Sequence, residues 1–458
     1  MSALRLHPDR FFPADAGTRS VARALFRRVE TLPILSPHGH TDPRWFATDA
    51  PFEEATSLFL WPDHYVLRML HSQGVTLEAL GFQTAGADRR AAWKLFAANY
   101  HLFRGTPSRL WLDHVFATVF GFDERLGPAT ADDYYDRINT ALKLGAFRPR
   151  ALLTRFNIEK LATTEGALDN LADHETIARE WPGHVVTTYR PDDVTDPDKD
   201  GFAANVERFG ATSWAGYLKA HQERRAVFRA HGATATDHGH PTAATANLSA
   251  AEAQALFDRL LRGKREAGDA ELFRAQMLTE MAKMSCDDGM TMQIHPGSFR
   301  NHNAALFAKY GANVGADIPM RTDYVHALKP LLDVVGNRAG LTIILFTLDE
   351  TNYARELAPL AGHYPCLKLG PAWWFHDSPE GMLRFRRQVT ETAGFYNTVG
   401  FNDDTRAFFS IPARHDLARR IDASYLAELV TSHRLDEDEA HEVIVDLAYN
   451  LPKAAYKL

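Results

Sequence analysis

Apolar residues fall into two different rhythms along this chain. Between residues 50 and 150, Phe, Trp, Leu and Met recur every three or four positions, the spacing of one helix face. Segments starting at Phe52, running over 63–70 and over 91–103 carry this pattern, and the stretch reads as almost wholly helical. From Ile158 onward the rhythm changes. Short apolar runs at 158–164, 184–189, 233–236, 291–294, 341–346, 366–369 and 398–401 read as strands, separated by helical stretches such as 214–231 and 256–284. The run Leu341-Thr342-Ile343-Ile344-Leu345-Phe346 is continuous rather than alternating, as expected of a strand covered on both faces in a parallel sheet. The run Leu32-Pro33-Ile34-Leu35 near the start brings the strands to eight. Strands alternating with helices imply right-handed βαβ units, and eight such units predict a closed α/β barrel. Residues 18–30 read as a first helix capped by Thr18 or Ser20, and 419–458 as terminal helices. Residues 50–150 hold too much helix for a simple crossover and are predicted to be an insertion over one end of the barrel. No repeat, low-complexity stretch or linker divides the chain, so 1–458 reads as one domain.

Composition narrows the class. A chain of 458 residues suits a barrel with insertions. With 45% hydrophobic and 24% charged residues it fits a globular protein. The net charge of -7, with no long basic run, argues against a nucleic-acid partner. Residues 1–20 lack the apolar centre of a signal peptide, and no apolar run is long enough to cross a bilayer, so a cytoplasmic location without a membrane partner is expected. The two cysteines, Cys286 and Cys366, exclude a disulfide framework and a cysteine zinc cluster, and read as buried thiols in a reducing compartment.

The chemistry of such a barrel lies at the carboxyl ends of its strands. After the first strand come His38 and His40, which in extended chain project to one side and can share one metal ion. The other strand ends offer Thr164 and Glu165, then Arg190 with Asp192, Asp237 and His238, His295 with Arg300, Thr347 and Asp349, Trp373 and Trp374, and finally Asp403, Asp404 and Arg406. Two histidines and a carboxylate from the eighth strand make a set suited to zinc or another divalent transition ion, with His295 as a fourth ligand or an acid/base group. A second such pair, His238-Gly239-His240, competes for the metal role; preceding Pro241, it reads as a substrate-contacting or loop element. Arg190 and Arg300 at the rim point to an anionic substrate, because guanidinium forks bind carboxylates in a bidentate way. Asp63-His64-Tyr65 reads as a capped helix start that dips toward the site.

Ser36-Pro37-His38-Gly39-His40, Asp63-His64-Tyr65, Tyr189-Arg190-Pro191-Asp192, Asp237-His238-Gly239, Gln293-Ile294-His295, Phe299-Arg300-Asn301-His302-Asn303, Trp373-Trp374-Phe375 and Asp404-Thr405-Arg406-Ala407-Phe408 together resemble the uronate (glucuronate) isomerase family, an outlying branch of the amidohydrolase superfamily. The resemblance runs from about residue 20 to the C-terminus, in consistent order. It implies a distorted (β/α)8 TIM-type barrel with a helical insertion after strand one. It also implies interconversion of D-glucuronate with D-fructuronate and of D-galacturonate with D-tagaturonate. One divalent metal, usually zinc, is then expected on His38, His40 and Asp404, with Asp404 favoured over Asp403 by its position relative to Arg406. Tyr65, Arg190, Asp237, His295, Arg300 and Arg406 are expected around the hexuronate, and a homo-oligomer is implied; Trp373-Trp374-Phe375, read from the residues alone, either packs under the sheet or, with Trp373 contacting substrate, forms a wall for a sugar.

Aldose–ketose isomerisation moves a proton between adjacent carbons through an enediol, which requires a base, an acid and stabilised oxyanion charge. The sixth strand ends in Thr347 rather than a histidine, which favours a single-metal site over the two-metal site of a hydrolase. Tyr65, helped by His64, is expected to move the proton at C2, with Asp404 or metal-bound water serving the other carbon; neighbouring cations would have to lower its pKa from about 10. Competing readings are a metal-dependent hydrolase or decarboxylase on the same barrel, and a non-catalytic sugar-acid binding protein.

Overall fold

The structure, a computed structural model, describes residues 3–458. The first two residues of the stretch inspected for a signal peptide lie outside them. The frame is a sheet of seven parallel strands: β1 (Ile34–Ser36), β2 (Ile158–Gly166), β3 (Val185–Arg190), β4 (Ala235–His238), β5 (Thr291–Ile294), β8 (Ile343–Leu345) and β9 (Leu367–Leu369), paired in that order. The short strands β6 (Ser298–Phe299) and β7 (Ile318–Pro319) form an antiparallel hairpin beside it. Strands β4, β5 and β8 are buried at every position, as expected where helices cover the outside and side chains fill the inside. Ala235, Ile344, Phe346, Val399 and Tyr456 form part of that inner filling.

The eighth strand departs from expectation. Residues 398–401 make only a single parallel bridge, Thr398 to Leu369. Gly400 explains why. It has a φ of 73°, and a Cβ there would stand 2.3 Å from the Leu447 carbonyl and 2.7 Å from Pro452 Cδ. The terminal helices press on this backbone where a neighbouring strand would otherwise pair. Closure toward β1 survives as a hydrogen bond from the His40 N–H to the Thr405 carbonyl, 3.0 Å. The curled sheet is thus a distorted α/β barrel.

Other expectations shift in detail. The first helix is Ala16–Val29, and its cap is Asp15, which accepts from Thr18 N–H; Thr18 and Ser20 lie inside the helix. The stretch 256–284 is two helices, Ala250–Leu261 and Asp269–Asp288, because Gly263 and Gly268 adopt left-handed φ between them.

Between β1 and β2 the chain is helical, as the periodicity predicts. The helix His64–Ser72 starts at Asp63, whose carboxylate accepts from Tyr65 and Val66 N–H. The helical layer has an aromatic core including Trp93, Phe96, Tyr100, Phe116 and Tyr134. Phe408 and Phe409, which follow directly on the Asp404–Arg406 loop, insert into it: Phe409 packs on Phe59 at 5.5 Å and Phe408 on Phe46 at 5.3 Å. Burying one such ring contributes about 1.5–3 kcal/mol. The same two side chains therefore hold the helical layer down and fix the loop that carries Asp404.

Candidate active site

The loop after β1 brings His38 and His40 to the mouth of the barrel. Both face Asp404: His38 Nε2 lies 3.5 Å and His40 Nε2 3.2 Å from its Oδ1. Asp404 has a φ of 35°, a left-handed conformation that a non-glycine residue holds only where its surroundings impose it. Burial opposes its ionisation, but the imidazoles of His38 and His40 outweigh that and hold its carboxyl far below the usual range. Its neighbour Asp403 turns the other way, to His415 Nε2 at 3.0 Å. Asp404, not Asp403, is the carboxylate that meets the paired histidines.

His295, from the end of β5, stacks on His38 at 4.8 Å. Its Nδ1 donates to Asp237 Oδ1, 2.7 Å, which leaves Nε2 as the acceptor nitrogen; that atom is buried and has no protein partner. His38, His295 and Asp404 each present a ligand atom within 4.8 Å of the other two. His40 stands beside this trio, in contact with Asp404. A buried, unpartnered imidazole nitrogen whose other nitrogen is fixed by a carboxylate is the usual arrangement of a metal-bound histidine. The donor set fits one divalent transition ion, with His295 inside the converging group.

Three guanidinium groups surround the centre. Arg190, at the end of β3, is held on both sides: its Nε donates to Asp192 (2.8 Å) and its Nη1 to Asp237 (2.9 Å). Burial works against its charge, but those carboxylates more than compensate and raise its pKa. Arg300, on the β6–β7 hairpin, donates to Asp317 at 2.9 Å and lies over the Trp374 ring at 5.0 Å. Arg406 reaches Asn313 at 2.9 Å. Enclosure pushes the Arg406 guanidinium down; Asp404 opposes this, and the like charges of Arg300 and Arg190 add to it. Arg300 and Arg406 are both exposed to solvent, which screens this repulsion.

The helical layer contributes His64 and Tyr65. His64 is pushed down to about 3, first by burial and then by nearby arginines, so it is neutral at physiological pH. Tyr65 departs from expectation. Arg414 pulls its pKa down, but burial and Asp377 outweigh that cation and push it well above the ordinary phenol value. Its hydroxyl lies 2.9 Å from the Trp374 carbonyl and 3.0 Å from Asp377 Oδ2. Asp377 also receives Arg414 Nη1 at 2.8 Å, and burial raises its carboxyl to about 6. Neither Asp377 nor Arg414 carries a local sequence signal. Each is a charged residue that becomes meaningful only when two distant segments meet. Trp373 is buried with its ring edge-on to His295 at 4.7 Å, supporting the imidazole from one side. Two strand-end residues serve local structure: Glu165 takes the Thr187 hydroxyl and His174, and Asp349 caps the turn that follows it.

Comparison with known proteins settles the lineage. A family profile described as glucuronate isomerase matches residues 15–456. The chain belongs to the glucuronate isomerase family. It is 68% identical to a uronate isomerase of Phenylobacterium zucineum, over 99% of this chain and 97% of that one. A crystal structure of glucuronate isomerase from Caulobacter crescentus superposes with a TM-score of 0.98 at 63% identity, covering 100% of this chain and 98% of the other. A crystal structure of uronate isomerase from Thermotoga maritima gives a TM-score of 0.92 at only 26% identity, over 99% of each chain. Members of this family therefore keep the barrel and its helical layer while most residues change. Among the described residues, no helix is long and apolar enough to cross a membrane.

Proposed function

We propose that the protein is an aldose–ketose isomerase that interconverts D-glucuronate with D-fructuronate, and D-galacturonate with D-tagaturonate, in hexuronate breakdown. The observation that carries this reading is the convergence of His38, His295 and Asp404, with the Arg190 guanidinium tied to His295 through Asp237: a site for a carboxylate-bearing sugar beside a group of proton acceptors and metal ligands. Family membership points the same way. A hydrolase or a pure binding protein finds no specific support.

Arg190 is the primary grip for the uronate carboxylate, since two buried carboxylates hold its fork in place before substrate arrives. Arg300 and Arg406 contact the remaining oxygens. A divalent ion, zinc by the donor set, held by His38, His295 and Asp404 with His40 alongside, would neutralise charge developing on the carbonyl oxygen. Asp404, held ionised, accepts the proton from C2 and returns it to C1, while the proton of the C2 hydroxyl passes to the C1 oxygen through the enediol. Tyr65, held as a neutral phenol, serves as hydrogen donor to a sugar oxygen, with neutral His64 beside it. It does not act as the base expected from the sequence, because burial and Asp377 disfavour its phenolate. In the same reading residues 1–458 form one domain, supported by a hydrophobic cluster that joins the helices of 50–150 to Ile158, Leu161 and Val185 of the barrel. A cytoplasmic homo-oligomer completes it, in keeping with two unpaired cysteines.

The test is incubation of the purified protein with D-glucuronate in D2O, followed by NMR. Appearance of D-fructuronate with exchange at C2 is expected. Absence of both would remove the isomerase reading.

A further inference from the structure

The sequence holds a second His-Gly-His, and the reaction described above leaves two of its residues without a role. His238 ends β4 and His240 follows it. With Asp192, on the turn after β3, they bring one ligand atom each to within 4.8 Å of one another, and all three side chains are buried. His240 is 3% exposed, yet neither of its ring nitrogens has a partner. Native interiors rarely leave a buried imidazole wholly unsatisfied. His238 Nε2 is fixed on the Thr236 hydroxyl at 3.0 Å, leaving Nδ1 as its remaining nitrogen. Asp192 Oδ2 is committed to Arg190, but Oδ1 receives only the Gly239 N–H at 3.3 Å and keeps acceptor capacity to spare.

We propose that Asp192, His238 and His240 form a second site for a divalent transition metal ion, separate from the His38–Asp404 centre. Two imidazoles and a carboxylate select zinc or a similar ion over calcium or magnesium, which prefer oxygen ligands. The backbone is already fixed around the site. The His238 carbonyl accepts from His295 N–H at 2.9 Å, and the Pro241 carbonyl from Gly297 N–H at 3.1 Å. The local charges permit a dication. Arg190 is neutralised by Asp192 and Asp237, and Arg274 by Asp196 and Asp198 at 2.6 and 2.7 Å. Thr236 orients His238 as an outer-shell partner does in metal sites. Because Asp192 also holds Arg190, an ion here stiffens the grip assigned above to the uronate carboxylate; that consequence, unlike the site, rests on the proposed function.

Untagged protein, stripped with dipicolinate, reloaded with zinc sulfate and desalted, is assayed by plasma mass spectrometry. Two zinc ions per chain are expected in the intact protein, one in His240→Gln, one in His38→Asn and none in the double variant. A single zinc in the intact protein, or an unchanged count in His240→Gln, overturns the proposal. Should His240→Gln fail to fold, cobalt titration of the intact protein decides. Two successive absorbance steps of one equivalent each support the second site, and a single step refutes it. Two zinc ions without turnover of D-glucuronate would sink the isomerase reading and leave this site standing.

Discussion

The two His-Gly-His loops are identical in sequence, and both follow a parallel strand of the same sheet. Their surroundings differ. The loop after β1 meets Asp404 from the eighth-strand segment and lies among cationic groups at the rim. The loop after β4 meets Asp192 and is sealed. One side chain, Arg190, links them, bonding Asp237 on the first side and Asp192 on the second. A shared tripeptide therefore says little until the third partner is known: a carboxylate beneath open space favours chemistry, and one in a closed pocket favours holding something still.

The sharpest way to break that contrast is Asp404→Asn. It should lower kcat by about 10²–10⁴-fold, the range for a lost acid/base group, and release the ion of the first loop alone; steady-state kinetics and metal analysis check both. Arg190→Met removes the link. Losing a charged hydrogen-bonding partner costs about 1.5–3 kcal/mol, so KM for D-glucuronate should rise roughly 10–100-fold. An unchanged KM would make Arg190 purely structural.

A third test works from outside both loops. The folded protein holds a proton on Asp377 more tightly than the unfolded chain does, since burial raises its carboxyl from 3.8 to about 6. Raising the pH from about 4 to about 6 should therefore cost wild-type stability relative to Asp377→Asn, by at most about 3 kcal/mol. Paired denaturant titrations across that window measure it; a difference that does not vary with pH would refute the assignment. The smallest effect contrasts the loops directly. A Cβ on Gly239 would lie 1.9 Å from Arg190 Nη2, whereas on Gly39 its nearest neighbour would be the Thr405 carbonyl at 3.4 Å. Gly239→Ala should destabilise by about 1–3 kcal/mol, as overpacking does, and raise KM in the direction of Arg190→Met. Gly39→Ala should change little in melting temperature or KM.

Much of this arrangement is visible in the sequence because it is local. Strand β5 and the β8 run announce themselves as short apolar stretches, and the residues after them reach the rim by the geometry of the fold. The features that escape are products of distance. The eighth strand has the right composition, yet Leu447 and Pro452 occupy its flank. The β6–β7 hairpin that carries Arg300 is two residues wide, too short for any periodicity. The Tyr65–Asp377–Arg414 cluster joins three segments far apart in the chain. Asp192 was legible as a polar residue beside Arg190, but not as the partner of His240.

Support for His38 reaches it from the far end of the sequence. Tyr456, buried inside the barrel, receives the Asn402 amide and donates to Gln293 Oε1 at 3.0 Å, and the Gln293 amide nitrogen lies 3.4 Å from His38 Nδ1. During translation, Tyr456 emerges from the ribosome long after the histidines it steadies. The finished arrangement around His38 is therefore completed only once that last segment has been synthesised.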